Sequence, residues 1–161
     1  MSIPSFEPPR RVCRPRRPER TIFDFPTAQS SLPLIRRILA DLQAARVQRG
    51  HLECRFRRLA PTPETSAERR RLTEEAQAAR RRVHEHVQEL QRLGTAVLDV
   101  GLGILGFPTI VNGGLAYLVY SQEDDAIRHW RYRDQPKLRP IPEQWRSDVL
   151  QPSRAEGLSV S

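Results

Sequence analysis

The sequence predicts an α+β fold, a long antiparallel two-helix hairpin with coiled-coil-like packing followed by a small antiparallel β-meander. Three observations predict it. Ile35, Ile38, Leu42, Ala45, Arg49, Leu52, Phe56 and Leu59 recur at alternating spacings of three and four, a heptad stripe with one charged interruption. After a break at Pro61 and Pro63, Leu72, Ala76, Ala79, Val83, His86, Leu90, Leu93 and Val97 repeat that spacing. Beyond Gly94 the pattern turns extended, with β-branched and aromatic residues set between glycines.

Taken in order, residues 1–21 form an Arg/Pro-rich tail with little to bury, expected to be disordered. Asp24 is placed to cap the first helix, and Pro26 is tolerated in its first turn, where N–H groups lack intrahelical partners. Pro33 is expected to separate this opening turn from the main helix or to kink it. Leu32 and Leu39 widen the first half of the stripe. Thr65 and Glu68 have the spacing of a capping box at the start of the second helix, and Gly94 is its natural terminator. Folding about the proline linker sets residues whose numbers add to about 125 opposite one another. Leu42 then faces Val83, Ile35 faces Leu90, His86 lies near Leu39, and Arg49 lies across Ala76. The seam is expected to rest on Leu42, Leu52, Phe56, Leu72, Val83 and Leu90.

Residues 22–94 thus read as the hairpin and 95–135 as the meander packed on it. Strands are expected at 96–98, 103–111, 115–120 and 127–132, with Asn112-Gly113 supplying the positive φ angles of a tight turn. Residues 136–161 are expected to be irregular, anchored by Trp145 and frayed at the end. The apolar run 96–120 is long enough to span a membrane as a helix, but Asp99, Pro108, Asn112 and five glycines break a helix and suit strands. No membrane insertion is expected.

The formal charge is +8, and Lys137 is the only lysine among 27 basic residues. Six arginines against Glu7 and Glu19 place half of that charge in the first twenty residues, leaving the folded part mildly basic. The cysteines, Cys13 and Cys54, permit neither a disulfide framework nor a four-thiolate zinc site, and free thiols fit a cytoplasmic protein.

Phe23-Asp24-Phe25-Pro26-Thr27-Ala28-Gln29 followed by Leu32-Pro33 resembles the opening motif of the bacterial domain of unknown function 2203 family. Gly103-Ile104-Leu105-Gly106-Phe107-Pro108 is similar to its signature strand. Asn112-Gly113, Tyr117, and Ile127 with Trp130 fall at the spacing of its closing hairpin, and Arg139-Pro140-Ile141-Pro142 with Trp145 resembles the tail of one branch. The resemblance spans residues 22–145 and implies the same order of parts, without an activity. The chain departs from the family pattern at Gly106, at Tyr120-Ser121 and at His129-Trp130-Arg131.

Candidate sites each have a plainer reading. His51 and Cys54 are three apart on one helix face but lack a second ligand pair, so no metal or cofactor is expected. His84 and His86, two apart, point in different directions. Arg69, Arg70, Arg80 and Arg81, from triplets eleven residues apart, could track phosphates, giving a nucleic-acid or ribosome-associated reading; interleaved Glu74, Glu75, Glu85 and Glu89 favour a solvated charged face. A pocket between meander and hairpin lined by Tyr117, His129, Trp130 and Arg131 would make an enzyme or small-ligand binder, whereas aromatic residues there more often build core. No phosphate-binding loop, dinucleotide glycine pattern or nucleophile elbow occurs. The reading that remains is a non-enzymatic interaction or scaffold protein whose partner is a protein, itself included, through residual hairpin stripe.

Overall fold

The computed structural model describes residues 21–147. Its elements are α1 (Phe25–Arg58), α2 (Ser66–Arg92), β1 (Ala96–Asp99), β2 (Ile104–Val111), β3 (Gly114–Ser121), β4 (His129–Tyr132), β5 (Arg139–Pro140) and α3 (Glu143–Ser147). The expected tail over residues 1–20 and the fraying of the last residues lie outside the described residues.

Asp24 caps α1 as its position suggests, its Oδ1 accepting the Thr27 N–H at 2.7 Å. Pro33 does not end an opening turn; α1 runs through it without a break. The ring lies on the exposed side, and Ala28, Leu32 and Ile35 on the other side are buried, so core packing offsets the hydrogen bond that proline removes. One turn earlier, Ser30 and Ser31 hydroxyls donate to the carbonyls of Thr27 and Ala28 at 2.9 and 2.7 Å.

The expected capping box is absent. Thr65 stands at the N-cap of α2 in a helical conformation without a side-chain cap bond. Its hydroxyl instead donates to the Ala60 carbonyl and accepts the Thr62 N–H at 3.2 Å, tying the proline linker together. Glu68 reaches across the hairpin to Arg55 at 3.4 Å. At the far end the terminator holds: Gly94 has φ of 90°, its N–H donates to Gln91, and the Thr95 N–H donates to Leu90. This pair of bonds satisfies carbonyls that the last helical turn leaves free. Leu93, placed in the stripe by its spacing, sits at the C-cap and is exposed.

The five strands form one antiparallel sheet in the order β1-β2-β3-β4-β5, a meander. β2 and β3 pair over their full length, from Ile104 with Ser121 to Val111 with Gly114. The turn between them has φ of 50° at Asn112 and 76° at Gly113, the backbone that matches strand twist. The segment after residue 136, expected to be irregular, contains β5 and α3; Trp130 pairs with Arg139, and the Trp145 ring packs 5.3 Å from that of Trp130. Trp145 is thus the anchor expected of it.

The hairpin covers one face of the sheet. Leu32, Ile35, Leu39 and Leu42 of α1 and Leu90 of α2 share a core with Leu105, Phe107, Leu118, Tyr120 and Trp130. A second, smaller cluster unites Leu52, Leu72 and Ala79 with half-buried Phe56, Leu59 and Ala76. The seam residues Leu42, Leu52, Leu72 and Leu90 are buried, and Phe56 and Val83 are half-buried. Among the described residues the hairpin therefore has a proximal half welded to the sheet and a distal half made of two helices alone.

A polar edge of α1 fixes the sheet's loops. Gln29 Oε1 accepts the Ile127 N–H at 3.1 Å. Arg36 donates to the Tyr120 hydroxyl at 3.0 Å and to the Asp124 carbonyl at 2.9 Å. Gln43 and Arg46 donate to the Val100 carbonyl at 2.9 and 3.1 Å, and Arg46 also to that of Gly101 at 3.1 Å.

Gly50 lies inside α1 with nothing within 4 Å of an added Cβ. Gly50→Ala is expected to raise stability by about 0.5–1 kcal/mol, read as a higher Tm, because alanine removes unfolded-state freedom without meeting a neighbour. A lower Tm would show that α1 is not continuous at that point.

Candidate interaction surfaces

Tyr117, His129, Trp130 and Arg131, candidates for a ligand or partner surface, are divided between two faces of the sheet. Successive residues of a strand point to opposite sides, and Trp130, opposite Leu118, is turned to the hairpin and buried. Its ring meets Tyr132 edge-on at 5.0 Å, and the Arg139 guanidinium lies over both rings at 5.1 and 4.9 Å. Phe107 and Tyr120 are fully buried beside it. Aromatic core fills the space around Trp130 between meander and hairpin, and the four residues do not line one pocket there. Tyr117 pairs with Arg131, and Val119 with His129, on the opposite, outward side.

That outward side is apolar. On β2 it presents Ile104, Gly106, Pro108 and Ile110, and on β3 Leu115, Tyr117, Val119 and Ser121. Ile110 and Leu115, a cross-strand pair, are 53% and 40% exposed. Gly106 leaves a gap that the Tyr117 ring fills; an added Cβ would meet that ring at 2.9 Å and Leu98 at 3.1 Å. A one-layer sheet ordinarily alternates apolar with polar residues, and these two strands are apolar on both faces. The doubled pattern is readable in the run from residue 104 to 119, where polar residues are few.

The second open surface runs along the distal hairpin. Phe56, Leu72 and Ala76 form the floor of a groove of about 500 Å³, with Glu53, Arg57, Thr73, Gln77 and Arg80 at its rim. Arg49 pairs with Glu53 at 3.5 Å on the same helix, and its Nε is buried without a hydrogen bond.

Of the candidate phosphate-contacting arginines, Arg70, Arg80 and Arg81 are exposed and Arg69 is set apart from them. Arg69 turns inward, donating to the Leu59 and Phe56 carbonyls and stacking 4.1 Å over the Phe56 ring, so it caps the end of α1 from α2. Arg80 belongs to the groove rim. Arg71 pairs with Glu75 at 2.8 Å, an ordinary intrahelical bridge. Arg70 and Arg81 remain as exposed residues on the charged face.

His51 is exposed and Cys54 half-buried, and no group of three or more His, Cys, Asp or Glu that could hold a metal forms among the described residues. His84 bonds Gln88 at 2.9 Å; His86 sits at the core edge, 3.7 Å from Glu89. In the loop after β3, Arg128 donates to Asp125 at 2.7 Å and holds that carboxyl below its ordinary range. No described helix is long and apolar enough to cross a membrane, and the run 96–120 is β1 to β3 instead.

Sequence reasoning missed the clamps Gln29, Arg36 and Gln43. Their spacing of seven was visible, a second heptad line of polar residues beside the apolar one.

Residues 21–137 match the family model described as an uncharacterized conserved protein, DUF2203, and the chain belongs to that family. No curated protein and no solved structure matches it.

Arg69→Ala is expected to lower unfolding stability by about 1–3 kcal/mol, since it strands the Leu59 carbonyl at the end of α1 and removes the stacking on Phe56, while the Phe56 carbonyl keeps the Leu59 N–H. Arg70→Ala, one residue along on the exposed face, is expected to change it by less than about 0.5 kcal/mol. Urea denaturation of the pair checks both; equal effects would show that Arg69 is not a cap.

Proposed function

We propose that the chain is a protein-interaction or scaffold module which assembles through the open groove of its hairpin, the partner being a second hairpin of the same kind. The carrying observation is the distal seam: Phe56 and Ala76 lie half-buried on the floor of a groove that, among the described residues, no third element covers. Two helices bury only one side of each apolar ridge, and a second pair laid across them completes a four-helix bundle. The rim has both signs, Glu53 against Arg57 and Arg80. A two-fold axis through the groove can set each acid of one copy against an arginine of the other, the self-complementarity that a symmetric contact requires.

Thr73 is exposed at this rim, and its hydroxyl donates only to the Arg69 carbonyl of its own helix at 3.0 Å. Thr73→Arg fills the groove mouth without touching the buried seam. Sedimentation equilibrium is expected to show a self-associating wild type and a Thr73→Arg protein whose association is at least about 10-fold weaker, with unchanged helical circular dichroism. A wild type that stays a protomer at high micromolar concentration, or a variant that associates equally well, rejects this reading.

A further inference from the structure

We propose that the distal half of the hairpin carries a row of arginines that grips the phosphate backbone of a nucleic-acid duplex. Residues 46–82 hold eleven arginines against five glutamates, a net +6, while the other described residues hold nine basic residues against ten acids. The positive charge of the described chain is thus gathered on the half of the hairpin that the sheet leaves bare.

The two sides of the hairpin use their arginines differently. Away from the groove each has a partner: Arg55 with Glu68 at 3.4 Å, Arg71 with Glu75 at 2.8 Å, and Arg82 with the Gln48 Oε1 at 2.9 Å. Arg70 and Arg81, eleven residues apart, return to within about 20° of one face of α2, beside the groove rim at Gln77. Arg57 and Arg80 stand on the rim itself. All four are exposed, and among the described residues none has a carboxylate partner. Glu74 lies on the same flank and forms no ion pair there. Arg70 and Arg81 do not line the groove, so the inference does not depend on the pairing of two hairpins.

Spacing selects a polymer. Eleven residues of helix set Arg70 and Arg81 about 16 Å apart along the axis, too far to share one small anion. That length is the rise of about five phosphates on one strand of a duplex. Residue type selects the backbone. From Ser66 to Arg82 the one apolar side chain larger than alanine is Leu72, which is buried. This flank therefore lacks the apolar row with which a helix lies in a lipid surface. No aromatic residue occurs on that stretch to stack on unpaired bases, which disfavours single strands. Guanidinium groups on a rigid helix meet phosphate oxygens through paired N–H donors, a contact that positions the duplex without reading its sequence.

The experiment is fluorescence anisotropy of the full chain with an RNA duplex of about 20 base pairs, the DNA duplex of the same sequence and their single strands, across a salt series. The wild type is expected to bind at least one duplex more tightly than the single strands, with affinity falling as salt rises. Arg70→Gln/Arg81→Gln is expected to bind that duplex at least about 10-fold more weakly and to lower the salt slope by about two. Glu74→Gln, which removes the carboxylate beside the row, is expected to bind about 2- to 5-fold more tightly, a gain that a damaged fold does not give. All three positions are exposed, so thermal melts are expected to be unchanged. No binding to either duplex overturns the proposal, as does tighter binding to single strands or binding to anionic lipid vesicles alone. An affinity unmoved by the double variant or by Glu74→Gln overturns it as well, since other cations, those of residues 1–20 included, then carry the contact. Sedimentation equilibrium keeps the row apart from the groove: the double variant is expected to self-associate as the wild type does. Duplex binding lost only together with self-association overturns the row.

Discussion

The molecule depends on the seam between its two long helices, and on the fact that, among the described residues, the sheet covers only half of that seam. Near the start of α1 the apolar ridge is two residues wide, with Leu32 and Leu39 flanking Ile35, Ile38 and Leu42, and all five are buried. One row faces α2 and the other faces the sheet, which is why this half forms the larger core. Beyond Ala45 the ridge narrows to a single row, Leu52 and Phe56, opposed by Leu72 and Ala76. A narrow ridge can satisfy one neighbour only, so the sheet stops where the second row stops.

The consequences reach the sheet's geometry. The hairpin provides one wall, the polar clamps of Gln29, Arg36, Gln43 and Arg46 fix the loops at its ends, and Trp130 with Trp145 closes the last strand against it. With that wall in place, Phe107, Tyr120 and Trp130 are packed as core between the layers. Facing away from the core lie the distal groove and the outward face of β2 and β3.

Much of this was legible in the sequence because it follows from periodicity. The stripes, the two-proline break, Gly94 as terminator and the Asn112-Gly113 turn each have a local cause that the chain carries with it. The failures have a common cause, which is that a packing or hydrogen-bond contact the sequence does not display took over a local preference. Thr65 had the chemistry of a cap, but its hydroxyl found the linker carbonyl of Ala60 first. Pro33 had the power to break a helix, but buried neighbours on the other side of the turn outweighed it. Arg69 read as surface charge and became the cap of the opposite helix. Tyr117 and Trp130 were grouped by aromatic character, whereas their separation onto two faces follows from strand register, which pairwise alternation fixes only once partners are known. The doubled apolar pattern of β2 and β3 was present in the sequence from the start, and its meaning depended on learning that the hairpin lies on one side only.

The unequal halves of the hairpin are the central claim, and native-state hydrogen exchange, at a concentration where the chain is a protomer, tests it most directly. The account predicts two tiers. Amides from Ile35 to Leu42 and from Val83 to Leu90 should exchange last, together with β2 and β3, while those from Leu52 to Phe56 and from Leu72 to Ala79 open earlier. Uniform protection along both helices, or distal amides outlasting proximal ones, would contradict it.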